Sequence, residues 1–202
     1  MYTLRAILLS KQIIRDNQIR VVLFTEEFGK ITAWAKKNHD SAADIWALIE
    51  ILIERKGQEN LIHKIQSLSI PKNESWDYET TIGFLHFIHI MRESLPEWME
   101  QRGIFHDAKE ILEYLSMNDF LEINNNSQLV QLFILMKARI MKKQGYLRED
   151  LFSWKPELPV IYERLDRASM KSMIGAKNIH EYNLSKIEFA IQEWFHSLKH
   201  RI

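Results

Sequence analysis

Between Val21 and Lys37 apolar and polar positions alternate in two short runs, joined by a polar turn that contains Gly29. A period of two predicts a β-hairpin. In the second run Ile31, Ala33 and Ala35 fall on one face, and Lys30, Thr32, Trp34 and Lys36 on the other. The first face suits a core; the second, basic and aromatic, suits a polyanion. The plainer account is that Trp34 fills a gap against a neighbouring loop and the lysines are solvated edge charges that discourage sheet-to-sheet association.

The same patterning extends over the first seventy residues or so. Runs rich in β-branched and aromatic residues occur at Thr3 to Leu9, Ile19 to Thr25, Lys30 to Lys36, Trp46 to Arg55 and Leu61 to Leu68. Turn-prone or polar residues separate them: Asp16-Asn17, Gly29, Asn38 to Asp44 and Gly57 to Asn60. In the fourth run Ile49, Ile51 and Ile53 alternate with Glu50, Leu52 and Glu54, as expected of a barrel wall. Five strands in so short a span predict a small closed barrel, which also leaves no long unpaired edge.

Pro71, in the run Ile70 to Glu74, ends the strand pattern, because it cannot donate to a ladder and holds its predecessor extended. Beyond it the period becomes helical. Phe84, Ile88, Met91 and Leu95 form one stripe that stops near Pro96, and Ile104, Ala108, Ile111, Leu112 and Leu115 form a second. These predict two packed helices with acidic outer faces. Gln128 to Lys143 is apolar nearly all round at first, turns basic at Lys137, Arg139, Lys142 and Lys143, and meets a capping glycine at Gly145, as a central bundle helix would. Val160 to Ile174, and the stripe Ile187, Ala190, Ile191, Trp194 and Leu198, supply two more helices. The expected fold is therefore α+β: a five-stranded oligonucleotide-binding (OB) barrel over residues 1–70, followed by an α-helical domain over 71–202. No internal repeat or low-complexity tract interrupts this order.

Composition changes the picture in three respects. A chain of 202 residues, 46% hydrophobic and 27% charged, holds enough apolar material for two small domains and is not composed like a disordered chain. Its zero formal net charge averages over unlike segments: +2 for residues 1–75, −7 for 76–125 and +5 for 126–202. The absence of cysteine excludes a disulfide framework, a thiolate zinc site and a cysteine nucleophile. Arg5 and Lys11 interrupt the first apolar run, no small-residue cleavage site follows it, and the run at Leu132 to Met136 is too short to span a bilayer. The expectation is a soluble, cytoplasmic protein with no membrane contact.

The order of these features resembles a known family. Thr3 to Leu9, then Arg20-Val-Val-Leu-Phe-Thr-Glu-Glu-Phe-Gly-Lys30, then Ala35-Lys-Lys37, is similar to the N-terminal barrel of the bacterial recombination mediator RecO. Ala138-Arg139-Ile140 leading to Gly145-Tyr146 resembles the end of that family's central helix, and Trp194 to Lys199 its last helix. The resemblance implies an OB barrel with a helical domain. It also implies binding of single- and double-stranded DNA, annealing of complementary strands, and help in loading recombinase onto DNA coated with single-strand-binding protein, all in DNA repair. RecR and the acidic, hydrophobic C-terminal tail of single-strand-binding protein are the implied partners. In two respects the chain departs from the family. The four-cysteine zinc module that many relatives carry after the Gly-Tyr is absent, Leu147 to Pro156 running on directly. The loop after the third strand, usually strongly basic, here follows Lys36, Lys37 and His39 with Asp40 and Asp44.

OB barrels bind single strands by stacking bases on exposed aromatics and tracking phosphates with cations. The expected DNA-binding set is Trp34 as platform, flanked by Lys30, Lys36 and Lys37, with Arg55, Lys56 and Lys64 extending the track. A second expected site is the end of the central helix, where Arg139, Lys142 and Lys143 follow an apolar stretch that would receive a partner's acidic tail. The competing account is that cations there complement the helix dipole.

For catalysis the chain offers little. His86, His89 and Glu93 stand at helix spacings that would converge as a two-histidine, one-carboxylate metal site, with His106 and Asp107 as further ligands. Neighbouring Phe84, Phe87 and Ile88 favour histidines that border a core instead. There is no phosphate-cradling glycine loop, nucleophile elbow or HExxH helix. The expectation is a non-enzymatic binding protein without cofactor. Two classes of function follow: a recombination mediator that binds DNA through its barrel, or an adaptor of the same fold that binds only proteins.

Overall fold

The computed structural model describes residues 1–15, 17–37, 44–71, 76–116, 126–147, 187–189 and 191–192. Five strands, β1 (Tyr2–Arg15), β2 (Gln18–Thr25), β3 (Gly29–Lys36), β4 (Leu48–Lys56) and β5 (Glu59–Ser69), close into a barrel in the order β1-β2-β3-β5-β4. Three described helices follow: α1 (Tyr78–Ser94), α2 (Arg102–Ser116) and α3 (Asn126–Lys143). The α+β class and the N-terminal OB-like barrel are as the alternation predicts.

β1 runs six residues beyond the apolar run that announces it. It has to serve two neighbours, pairing with β4 from Tyr2↔Ile53 to Ile7↔Leu48 and with β2 from Ala6↔Thr25 to Arg15↔Gln18. Irregularities at Leu8/Ser10 and Ile13/Arg15 bend it from one partner to the other. The barrel interior is filled by one face of each strand, including Leu4, Ala6, Leu8, Val21, Leu23, Ile31, Ala33, Ile49, Ile51, Ile53 and Ile62. Alanines at 6, 33, 35 and 47 keep that interior narrow enough to close. Trp46, placed at the head of the fourth run by the sequence, lies in the turn before β4, wholly buried with φ 70°.

β3 meets its non-β2 neighbours with three successive bonding groups on one edge. The Trp98 N–H donates to the Lys30 carbonyl at 3.0 Å, Asn60 Nδ2 donates to the Thr32 carbonyl at 2.9 Å, and Trp34 pairs in parallel with Leu61. The first of these depends on Gly29. It holds φ +66°, and a Cβ there would lie 1.9 Å from the Met99 carbonyl oxygen.

The chain divides into two compact units, residues 1–75 with 95–123 and residues 76–94 with 124–202. A single cut after residue 70 is therefore not how the contacts group. α2 groups with the barrel, where Phe105 packs edge-on against Phe24 at 5.5 Å, whereas α1, which the two stripes pair with it, groups with the second unit. In the second unit Phe84 and Phe87 of α1 pack on Phe133 of α3 at 5.4 and 6.0 Å, and Trp76 joins them. Asp77 caps α1, its Oδ1 accepting from the Thr80 N–H at 2.8 Å.

α3 is buried from Leu132 to Met141, as expected of a central helix. Gly145 closes it in the left-handed conformation, with Tyr146 N–H bonded to the Met141 carbonyl and Gly145 N–H to that of Lys142. Burial reaches two of the cations that the sequence reads as a basic end. Lys137 is 2% exposed and pairs with Glu188 at 2.7 Å, and Arg139 is 3% exposed. Glu188 lies on the helical residues 187–189; Val160 to Ile174, Ala190, Trp194 and Leu198 lie outside the described residues.

Two predictions follow from these contacts. Gly57 shares the left-handed backbone of Gly29 but has open space around its Cβ position. Gly57→Ala is expected to cost about 1–2 kcal/mol, the backbone term alone, and Gly29→Ala more than ~4 kcal/mol, both measured by denaturant unfolding. Equal losses would refute the close approach at Met99. Glu188→Ala, which leaves the Lys137 ammonium buried without its carboxylate, is expected to cost ~3 kcal/mol. Lys137→Met combined with Glu188→Leu should recover most of that loss.

Candidate nucleic-acid interface

The turn between β2 and β3 fixes which side chains share the outer wall. Its three residues, Glu26 to Phe28, are held by Thr25, whose Oγ1 accepts from the Phe28 N–H at 3.1 Å and donates to the Gly29 carbonyl at 3.0 Å. Thr25 therefore pairs with Gly29, and every later pair along the hairpin is set by that count. Arg20 comes opposite Trp34, and Gln18 opposite Lys36. The next strands extend the row, so Gln12, Arg20, Trp34, Leu61 and Glu54 lie side by side across all five strands.

Trp34 is half-buried on this wall, between an exposed Arg20 on one side and Leu61 on the other. Ile31, Ala33 and Ala35 are buried beneath, so the two faces of β3 separate as the alternation predicts. Lys36 is exposed one strand repeat beyond Trp34, about 7 Å along β3. Lys37 follows, exposed, its N–H donating to the Asn17 carbonyl at 3.1 Å and tying the end of β3 to the β1–β2 hairpin. An aromatic face is thus bordered by Arg20, Lys36 and Lys37. At the far end of the row, Glu54 is bonded by His63, whose ring nitrogen lies 3.0 Å from its carboxylate.

The rest of the expected track divides. Lys30 lies toward the other end of β3, four residues or about 13 Å from Trp34, and Arg55 is on β4, opposite Asn60. The Arg55 guanidinium stacks over the Trp98 ring at 4.9 Å, and Trp98 in turn meets Phe28 edge-on at 6.4 Å. Lys56 is exposed at the β4–β5 turn, and Lys64 is exposed opposite Leu52. Acidic residues crowd the Trp98 end: Glu26 and Glu27 precede Phe28, and exposed Glu97 and Glu100 flank Trp98. Charge therefore favours the Trp34 end for a polyanion.

Two participants escaped the sequence reading. Arg20 is legible by counting the hairpin register outward from Gly29. Trp98 carries no such signal, since it lies in the connector after Pro96, with φ 58°, and only the backbone bond to β3 places it.

The second expected site does not assemble as one open basic face. Arg139 turns into the bundle, Lys142 is half-buried and Lys143 is exposed. Two of the three candidate metal ligands of α1 are engaged with Arg92: its Nε donates to Glu93 at 2.7 Å, and its Nη2 lies 3.3 Å from His89 Nδ1, while His86 is exposed. His106 and Asp107 stand on α2, in the other compact unit. Among the described residues no group of three or more His, Asp and Glu side chains is arranged to hold a metal ion.

No family model and no curated protein matches this chain. No helix among the described residues is long and apolar enough to cross a membrane.

With Arg92 already between His89 and Glu93, added zinc is expected to leave the thermal midpoint unchanged. A rise in Tm that Glu93→Gln abolishes would place a metal there.

Proposed function

We propose that this chain is a RecO-like recombination mediator, binding single-stranded DNA across the outer wall of its barrel. The observation that carries this reading is the presentation of Trp34 between Arg20 and Lys36 on a closed OB-like barrel. An aromatic ring offers a face on which any base stacks, and cations on either side follow the phosphates. In this reading Trp34, Arg20, Lys36 and Lys37 make the principal contacts. Lys30, Arg55, Lys56 and Lys64 lengthen the track, and duplex DNA binds more weakly through phosphates alone. Strand annealing follows because a protein that neutralises phosphates on two complementary strands lowers the repulsion between them. The helical domain serves protein partners, RecR and the tail of single-strand-binding protein in the RecO scheme, with Lys142 and Lys143 at the end of α3 as the cations for that tail. The setting is cytoplasmic DNA repair.

A protein-only adaptor is the second reading. The acidic residues around Trp98, together with Glu54 in the row of Trp34, favour it, because they reduce the field available to a polyanion.

Fluorescence anisotropy with a labelled single-stranded oligonucleotide separates the two. Trp34→Ala is expected to weaken binding about 5- to 150-fold, the loss of one stacked base. Lys36→Ala and Lys37→Ala should each lower the slope of log affinity against log salt by about 0.7. No binding by the wild-type protein at low salt would eliminate the mediator reading and leave the adaptor.

A further inference from the structure

Three aromatic rings from three separate segments of the barrel unit meet around the β2–β3 turn: Tyr2 at the start of β1, Phe28 in the turn itself, and Trp98 in the connector before α2. Phe28 is the middle ring, with its centroid 5.9 Å from that of Tyr2 and 6.4 Å from that of Trp98. Neither ring is held by a soft loop. Thr25 fixes the turn through the Phe28 N–H, and the Trp98 N–H is bonded to the Lys30 carbonyl of β3.

These rings stay on the surface although they pack on one another. Phe28 is 37% exposed, Trp98 43% and the adjoining Met99 55%. Contiguous exposed apolar surface of this kind marks an interaction site more often than scattered single residues do. The rings are tilted by 58° and 61°, which makes the surface corrugated rather than a flat stack. Among the described residues the Trp98 indole N–H and the Tyr2 hydroxyl have no hydrogen-bond partner within the protein.

Ring spacing and spare donors together select the backbone that fits. A polyproline II helix makes no internal hydrogen bonds, so its carbonyls are free to accept, and two of its residues advance roughly 6 Å, close to the spacing of the rings. Charge selects its side chains. Glu26 and Glu27 precede Phe28, and Glu97 precedes Trp98; none of the three enters an ion pair among the described residues, whereas Glu100 is bonded by Arg102 at 2.7 Å. Lys30 and Arg55 offset part of this charge. The Arg55 guanidinium, 4.9 Å over the Trp98 ring, shows that the ring accepts a cation on its face.

We propose that the Tyr2, Phe28 and Trp98 ridge docks a proline-rich, basic segment of a protein partner, bound as a polyproline II helix. Prolines lie against the rings, the Trp98 N–H donates to a peptide carbonyl, and a flanking Arg or Lys meets Glu27 or Glu97. The inference does not rest on the nucleic-acid reading, with which it shares only Arg55.

The test is selection from a phage-displayed library of random dodecapeptides on the wild-type protein, with the Phe28→Ala, Trp98→Ala double variant as counter-target. Enriched sequences are expected to combine prolines with Arg or Lys. Synthetic versions should bind the double variant about tenfold or more weakly. Two further changes leave the rings in place: alanine for the peptide's prolines should also cost about tenfold, and the Glu27→Gln, Glu97→Gln double variant about threefold or more. Trp34→Ala should leave peptide binding unaltered. The proposal is overturned if nothing is enriched over the counter-target, if enriched peptides lack proline or are acidic, or if alanine for proline has no effect. It is also overturned if Trp98→Ala weakens oligonucleotide binding more than Trp34→Ala does, which would assign the rings to bases. A wild-type dimer that Trp98→Ala turns into a monomer would assign them to a second copy of this chain.

Discussion

Closure of the barrel along one edge of β3 is the constraint from which the other features of the first unit follow. A five-stranded sheet this short leaves its last edge unpaired unless something meets the carbonyls of Lys30, Thr32 and Trp34. Three unrelated groups do so: a backbone N–H from the connector after α1, a side-chain amide from Asn60, and the parallel pair with Leu61. Each buried carbonyl left unmet would cost roughly 1–3 kcal/mol. Gly29 is where this closure is most exacting, because the connector backbone lies where any larger residue would place its Cβ.

The same closure determines what the barrel displays. With Ile31, Ala33 and Ala35 held inward, Trp34 and Lys36 have to face out, and the hairpin count brings Arg20 beside them.

Cations in this chain stand in four settings that look alike in sequence. Arg20, Lys36 and Lys37 are exposed on the barrel wall. Lys137, by contrast, is buried in the helical unit and neutralised by Glu188, where it constrains the packing of α3 against the helical residues 187–189. Arg92 bonds Glu93 and approaches His89 on the surface of α1. Arg55 is a fourth kind of case, stacked on Trp98 in a contact worth about 0.5–2 kcal/mol, so its use by a nucleic acid competes with its use by the fold.

The five strands, their faces, the switch to helices near Pro71, the apolar helix α3 and its glycine cap were all legible in the sequence. Each rests on a period of two or 3.6 residues, or on a local backbone preference that neighbours in the chain set by themselves. Membership of α2 was not legible, because an amphipathic stripe states that a face is covered but not by what. The exposure of a cation was not legible either: Arg139 and Lys143 lie four residues apart on one helix, and only the packing around α3 buries the first and leaves the second in water. The place of Trp98 depends on a pairing between residues far apart in the chain. The sequence alone thus determined the elements and their faces, and the tertiary structure decided which polar groups those faces leave unmet.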